Sequence, residues 1–163
     1  MKVPQIIPTK IYDLPGLQHQ LHRWRLLGKT IAFTNGCFDI LHRGHIASLS
    51  DAAREAEILI VGLNSDASTR RLKGDDRPIN NQESRATVLA SLLMVDAVII
   101  FDEDTPLQLI NLVTPDVLVK GGDYTLEQIV GAKEVLAAGG RVVINPIVPG
   151  FSTTGLIDKI TRL

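Results

Sequence analysis

The run Glu57-Ile58-Leu59-Ile60-Val61-Gly62-Leu63-Asn64 constrains the fold of this chain most. It does not alternate polar with apolar residues, so it is not a strand with one wet face. A continuous β-branched and aliphatic run of this length predicts a parallel strand covered on both sides. The preceding segment supplies a cover, because Ile46, Leu49, Ala52 and Ala53 recur at helical spacing and predict a helix from Gly44 to about Glu57. Before it, Lys29-Thr30-Ile31-Ala32-Phe33 reads as a short buried strand. Strand, helix, strand within about 35 residues is a βαβ unit, and its crossover is right-handed.

The rest of the chain continues the alternation. Residues 1–12 read as an arm in which Pro4 and Pro8 oppose regular structure. Asp13 caps a helix carrying Leu17, Leu21 and Trp24, which stops at Gly28. His19 and His22 share that helix with no carboxylate or cysteine, and read as a solvated face. Residues 65–80 are a polar loop holding Asp66, Arg70, Arg71, Lys73, Asp75, Asp76 and Arg77. Loops of that length inside a compact domain are usually functional or mobile. Asn80 or Asn81 caps a helix whose apolar face is Val88, Leu89, Leu92 and Leu93. Ala97–Phe101 is a third strand. Thr105 and Gln108 are spaced as a capping box around Pro106, and Pro115–Lys120 is a fourth strand. Thr125 and Gln128 repeat the box before a helix ending at Gly139-Gly140, and Arg141–Ile144 is the fifth strand. Ser152-Thr153-Thr154 caps a last helix with Leu156, Ile157 and Ile160 on one face. Five strands alternating with helices predict an α/β fold, a Rossmann-like doubly wound five-stranded parallel sheet with helices on both faces. The division expected is an N-terminal arm and helix, 1–27, packed on a domain spanning 28–163.

Composition narrows the setting. A chain of 163 residues with a net charge of −1 has no strong pull toward nucleic acid or anionic membrane. One cysteine suits a reducing compartment. No stretch reaches the roughly 20 apolar residues of a membrane helix, and the first ten residues hold no apolar run of leader length. A cytoplasmic location is expected.

The chemistry is narrowed by elimination. No Gly-x-Gly-x-x-Gly follows a strand, no Gly-x-x-x-x-Gly-Lys-Ser/Thr exists, and Gly-x-Ser-x-Gly is missing. What stands at the first strand-to-helix handover is Thr34-Asn35-Gly36-Cys37-Phe38-Asp39-Ile40-Leu41-His42-Arg43-Gly44-His45. Free N–H groups and the positive end of the helix dipole face outward at such a junction, where anions bind. His42 and His45, three apart with Gly44 between them, can both reach phosphate oxygens there. Gly44 lets a ligand approach the backbone. Zinc would require a third ligand at a spacing that Cys37 does not offer.

Gly36 to His45 resembles the G-x-F-D-x-x-H-x-G-H signature of the cytidylyltransferase-like nucleotidyltransferases. The resemblance continues through Asn64-Ser65-Asp66, Lys73-Gly74, Arg77-Pro78-Ile79, Arg85, Lys120-Gly121-Gly122-Asp123-Tyr124 and Ser152-Thr153-Thr154. Phe33–Asp39, the Asn64–Ile79 markers and Gly150–Thr154 are similar to the adenylyltransferases of ADP-heptose synthesis. These act on D-glycero-β-D-manno-heptose 1-phosphate and in many bacteria are fused behind a sugar kinase domain. The resemblance therefore implies a stand-alone adenylyltransferase, ATP and a sugar phosphate as partners, a separate sugar kinase upstream, a homodimer, and Mg2+ accompanying ATP with no protein side chains as its ligands. CTP-using relatives carry Arg-Thr-Glu-Gly-Ile before their last Ser/Thr-Thr, where this chain has Ile147-Val148-Pro149-Gly150-Phe151. A cytidylyl- or adenylyltransferase for another phosphorylated alcohol, such as glycerol 3-phosphate, and a non-catalytic nucleotide-binding module are the alternatives.

By the same resemblance, His42, His45 and Lys73 are the catalytic set. Thr34, Asn35, Gly36, Cys37, Phe38, Gly44, Gly121, Asp123, Ser152, Thr153 and Thr154 join them around the nucleotide. Asn64, Asp66, Arg77, Arg85 and Asp123 are candidates for the acceptor. Asp39 is expected to brace its loop rather than bind metal, and Lys73 to reach the β- and γ-phosphates as its loop closes.

Overall fold

The computed structural model describes residues 3–122, 124–146 and 148–162. Its core is a six-stranded, wholly parallel sheet in the order β1-β4-β3-β2-β5-β6. The strands are β1 (Ile11–Tyr12), β2 (Ile31–Gly36), β3 (Ile58–Asn64), β4 (Ala97–Phe101), β5 (Val117–Gly121) and β6 (Arg141–Asn145). The helices are α1 (Ile6–Thr9), α2 (Leu14–Leu26), α3 (Arg43–Ala53), α4 (Asp66–Lys73), α5 (Gln82–Ala90), α6 (Leu107–Val113), α7 (Ala132–Ala137) and α8 (Thr153–Thr161).

Strand alternation sorts the core into two layers. Ile31, Phe33, Ile60, Ile99 and Leu118 point to one face, where Leu17, Leu21 and Trp24 of α2, Leu109 and Ile110 of α6 and Val135 of α7 cover them. Ala32, Leu59, Val61, Val98 and Val119 point to the other, under Leu49 and Ala52 of α3 and Ala86 and Leu89 of α5. Each fully buried leucine or isoleucine here contributes about 1.5–3 kcal/mol. Both faces of β3 are covered, which is why its sequence reads as one apolar run. Among the described residues no helix is long and apolar enough to cross a membrane.

The sheet has six strands where the sequence reading expects five. The additional one, β1, comes from the supposed arm, and Ile11 and Tyr12 pair with Val98 and Ile99 along the outer edge of β4. A two-residue strand has no period to read, and Pro4 and Pro8 lie before it rather than in it. Other expectations shift for equally physical reasons. The 65–80 loop contains α4, capped by Ser65, whose hydroxyl accepts from Ser68 N, and its buried residues are Ser68 and Thr69. Without an apolar stripe, no helical period is visible. Helix α5 ends at Ala90, so Leu93 falls beyond it and is 97% exposed, and Val88 is also exposed. Pro106 is the N-cap of α6, with no capping bond from Thr105. Gln128 Oε1 does accept from Thr125 N at 2.9 Å, but the turn it closes is a short 3-10 helix, Leu126–Gln128. Helix α8 buries none of its residues, and Ile160 is exposed.

The chain builds outward from β2 through β3 to β4, then returns to the other side of β2 for β5 and β6. That reversal is where open α/β sheets bind ligands, beyond the carboxyl ends of the strands. Here β2 and β5 pair at Ala32–Val117 and Phe33–Leu118, whereas β2 and β3 stay paired out to Gly36 and Leu63. The two strands part beyond Phe33, and a cleft opens.

Candidate active site

The cleft has a volume of about 690 Å³. Thr34, Asn35, Gly36, Cys37, Phe38, His42 and His45 line it from β2 and the start of α3, Asn64, Lys73 and Arg77 from the β3 side, and Gly121, Ser152, Thr153 and Thr154 from the far side. Residues spread over 120 positions of sequence therefore meet at one crevice.

The loop after β2 is shaped by its own side chains. Phe38 adopts a left-handed backbone, φ 44°. Its ring lies so close to Gly36 that a Cβ there would be 3.1 Å away. His42 is the N-cap of α3, and its Nδ1 accepts from Gly44 N at 3.1 Å. That bond requires Nδ1 to be unprotonated, so the ring proton sits on Nε2 as a donor. A Cβ on Gly44 would stand 3.0 Å from the His42 ring and 3.2 Å from Phe151 Cβ. Gly44 thus makes room for the protein's own imidazole and does not itself line the cleft, which corrects the expectation of a ligand against its backbone.

His45 stacks on His42, with ring centres 3.9 Å apart and planes 25° apart, and Phe38 flanks it at 5.4 Å. Among the described residues, His45 Nδ1 is buried without a partner. Burial, together with the neighbouring His42, pushes its pKa down to about 4, and burial lowers that of His42 as well. At neutral pH the pair is uncharged, and its rings are able to offer N–H donors. Unfolded, His45 takes its proton near pH 6.5, so between there and about 4 the unfolded chain binds more protons than the folded one. Stability is therefore full above pH 6.5 and falls as the pH drops toward 4. The loss is about 1–2 kcal/mol once partial exposure has screened the effect. Urea unfolding between pH 7.5 and 4.5 checks this, and His45→Ala should flatten that part of the profile.

Asp39 braces the loop. Burial pushes its pKa up, but N–H donors of Asn80 and Ile79 and the Arg77 guanidinium outweigh that and hold the carboxyl below its ordinary value. Arg77 Nε lies 2.7 Å and the two N–H groups 2.9 Å from its oxygens. Arg77 reaches the cleft already paired.

Arg85 and Asp66 are not where an acceptor-binding role needs them. Arg85 is 2% exposed. It donates to the carbonyls of Asn80, Cys37 and Asn64 and to Asp66 Oδ1, at 2.6–2.9 Å. The pair stands behind the cleft wall, and Asp66 opens instead onto a shallower depression with Arg70. An arginine in a polar stretch looks solvent-facing in sequence, and only the fold shows that it is enclosed. Arg71 is turned away, held by Asp104 at 2.7 Å. Asp123 lies outside the described residues.

On the far side, Ser152 Oγ caps α8, accepting from Gly155 N at 3.0 Å, and Thr153 Oγ1 donates to Ile40 O at 3.3 Å. That second bond ties the N-terminus of α8 to the histidine loop. Phe151 lies over His42 at 6.3 Å with the Arg43 guanidinium 5.9 Å from its ring. Lys120, Tyr124 and Phe151 line the cleft and escaped the sequence reading as site residues. The signal for Lys120 is a lysine ending an otherwise apolar strand. Among the described residues no three histidine, cysteine, aspartate or glutamate side chains gather to hold a metal ion.

Two neutral imidazoles at one helix N-terminus, a second helix N-terminus facing them, and a lysine at the rim define a phosphate-handling site of the nucleotidyltransferase class on a Rossmann-like sheet. The chain belongs to the cytidylyltransferase-like family, whose model matches residues 33–158. It is 57% identical over 143 residues to the bifunctional protein HldE of Rhodopseudomonas palustris strain HaA2, covering 88% of this chain and 29% of that one. It is 60% identical over 140 residues to the protein of the same name from Hyphomonas neptunium, covering 86% and 29%. The chain thus spans less than a third of the length of these relatives. The crystal structure of the lipopolysaccharide core biosynthesis protein from Thermoplasma volcanium GSS1 superposes with a TM-score of 0.60 at 30% identity, covering 74% of this chain and 98% of that one. Pantoate-beta-alanine ligase from Francisella tularensis shares the fold, at a TM-score of 0.58 and 17% identity over 94% of this chain and 78% of that one.

Proposed function

We propose that this chain transfers the adenylyl group of ATP to D-glycero-β-D-manno-heptose 1-phosphate, giving ADP-heptose and pyrophosphate. The observation that carries the reading is the stacked His42–His45 pair at the N-terminus of α3, in one cleft with Lys73 and the N-terminus of α8. The heptose acceptor follows from the likeness to HldE proteins over most of the chain.

In this reading an oxygen of the sugar phosphate attacks the α-phosphorus in line. The new P–O bond forms as the bond to the β-phosphate oxygen breaks, and pyrophosphate leaves with the electron pair. The attacking oxygen is already anionic, so no general base is required, and catalysis rests on placement and on donors aimed at developing charge. His45 meets the α-phosphate oxygens, His42 the adjoining phosphate, and Lys73 the leaving pyrophosphate. Thr34 to Phe38 surround the nucleotide, and Ser152 to Thr154 offer the second helix N-terminus.

Magnesium accompanies ATP, on whose phosphates it neutralises charge. The chain has no carboxylate cage to match it among the described residues, and both Asp39 oxygens are taken by Arg77, Ile79 and Asn80.

A pyrophosphate-release assay crossing ATP and CTP with heptose 1-phosphate and glycerol 3-phosphate tests the reading. Release is expected with ATP and heptose 1-phosphate together. Release confined to CTP would overturn it in favour of a cytidylyltransferase.

A further inference from the structure

Most cationic side chains around the cleft already have a partner. Arg77 is paired with Asp39, Arg85 with Asp66 and Arg71 with Asp104, while Arg43 lies over Phe151. Lys120 differs. It stands near the end of β5 on the wall of the cleft, largely withdrawn from water. Its Nζ donates to Asn35 Oδ1 at 3.2 Å and lies 6.0 Å from the centre of the Tyr124 ring. Both partners are neutral, and among the described residues no carboxylate lies within ion-pair distance of it. The bond to Asn35 bridges the two strands just past the point where their ladder stops.

An ammonium in such a place is costly until an anion joins it, because a sheltered charge needs a counter-charge and not just a dipole. Burial accordingly lowers its pKa. The fold supplies the missing anion through its substrates. The triphosphate is met by the neutral imidazoles, two helix N-termini and Lys73. A second anion, the attacking phosphate, must approach an α-phosphate that is itself negative, and uncharged donors do little against that repulsion. A compact ammonium fixed at the switch point suits the task, since its three donors can serve a tetrahedral monoester.

We propose that Lys120 is the residue that binds the acceptor's phosphate and holds its attacking oxygen toward the α-phosphorus. The assignment rests on the adenylyl-transfer reading above and adds to it a residue and a division of labour. Lys120 serves the incoming phosphate and Lys73 the departing one.

Lys120→Met keeps the length of the side chain and removes its charge. The expected result is a rise of 10-fold or more in the KM for heptose 1-phosphate, with the Kd for ATP changed less than about 3-fold. Lys120→Arg should recover part of the loss. The methionine variant should also melt at the same temperature as the parent or higher, because an ammonium awaiting its ligand is a burden on the free protein. A companion measurement needs no turnover: titration of the free protein with inorganic phosphate, in which Lys120→Met should lose binding that Lys73→Met keeps. An ATP Kd that rises while the acceptor KM stays put would overturn the proposal, as would phosphate binding indifferent to Lys120. If the parent protein releases no pyrophosphate from ATP and heptose 1-phosphate, it is the adenylyl-transfer reading that fails. The phosphate titration then still decides whether Lys120 is an anion site.

Discussion

Replacing His45 by alanine is expected to lower turnover by about 10²–10³, the usual consequence of removing one donor directed at transition-state charge. The geometry explains why the effect should fall on turnover rather than on folding. His45 is held between His42 and Phe38, it lines the cleft, and its Nδ1 is buried with no partner among the described residues. A buried polar atom left unmatched weakens the free protein. The alanine variant should therefore be at least as stable as the parent at neutral pH while it loses activity. In the free protein burial pushes the pKa down to about 4, so the ring enters the site neutral. A neutral amide donor should consequently rescue part of the rate, and His45→Asn is expected to lie between parent and alanine. Initial rates of pyrophosphate release at saturating ATP, with melting curves of each variant, check this. Turnover within about 3-fold of the parent for His45→Ala would remove the residue from the reaction.

Replacing Arg85 by alanine should produce the largest loss of stability, about 3–5 kcal/mol, the usual cost of taking one partner from a buried ion pair. The guanidinium joins four acceptors at the ends of β2 and β3 and at the starts of α4 and α5. These are the Cys37 carbonyl after β2, the Asn64 carbonyl at the end of β3, the Asp66 carboxylate at the start of α4 and the Asn80 carbonyl before α5. Alanine leaves these acceptors without a donor and a void where the side chain stood. Lysine, a point charge without the planar fork, should restore only a fraction. Two of those acceptors frame the cleft, so ATP affinity should fall along with stability. Urea unfolding with an Asp66→Asn cycle measures the pair itself. A loss below about 1 kcal/mol would mean that the network is not a clamp.

How much of this was visible in the chain differs from element to element. The helix at Arg43–Ala53 and the strands at 58–64 and 97–101 follow from spacing and apolar runs. Both are local, and each strand is buried on both faces. The Asp39 brace was expected in kind, yet its donors lie about 40 residues away and no local pattern names them. Helix α4 reads as loop in the sequence because what it buries is serine and threonine. Helical spacing assigns Leu93 to the apolar face of α5, although the helix ends before it.

Local patterns in the chain carry the alternation of strand and helix, the strand-to-helix junction with its two histidines, and the chemistry open to a site with donors and no nucleophile–base pair. These depend on neighbours within a few positions, where periodicity and capping operate. Which strands are adjacent, and hence that β2 and β5 part to open the cleft, comes from the folded chain. The fold also decided that Arg85 is enclosed while Lys120 faces the site, and that His42 and His45 stack as neutral rings. Whether a cation is matched inside the protein or left for a ligand depends on groups brought together from distant parts of the chain. That pairing comes into being when the sheet closes.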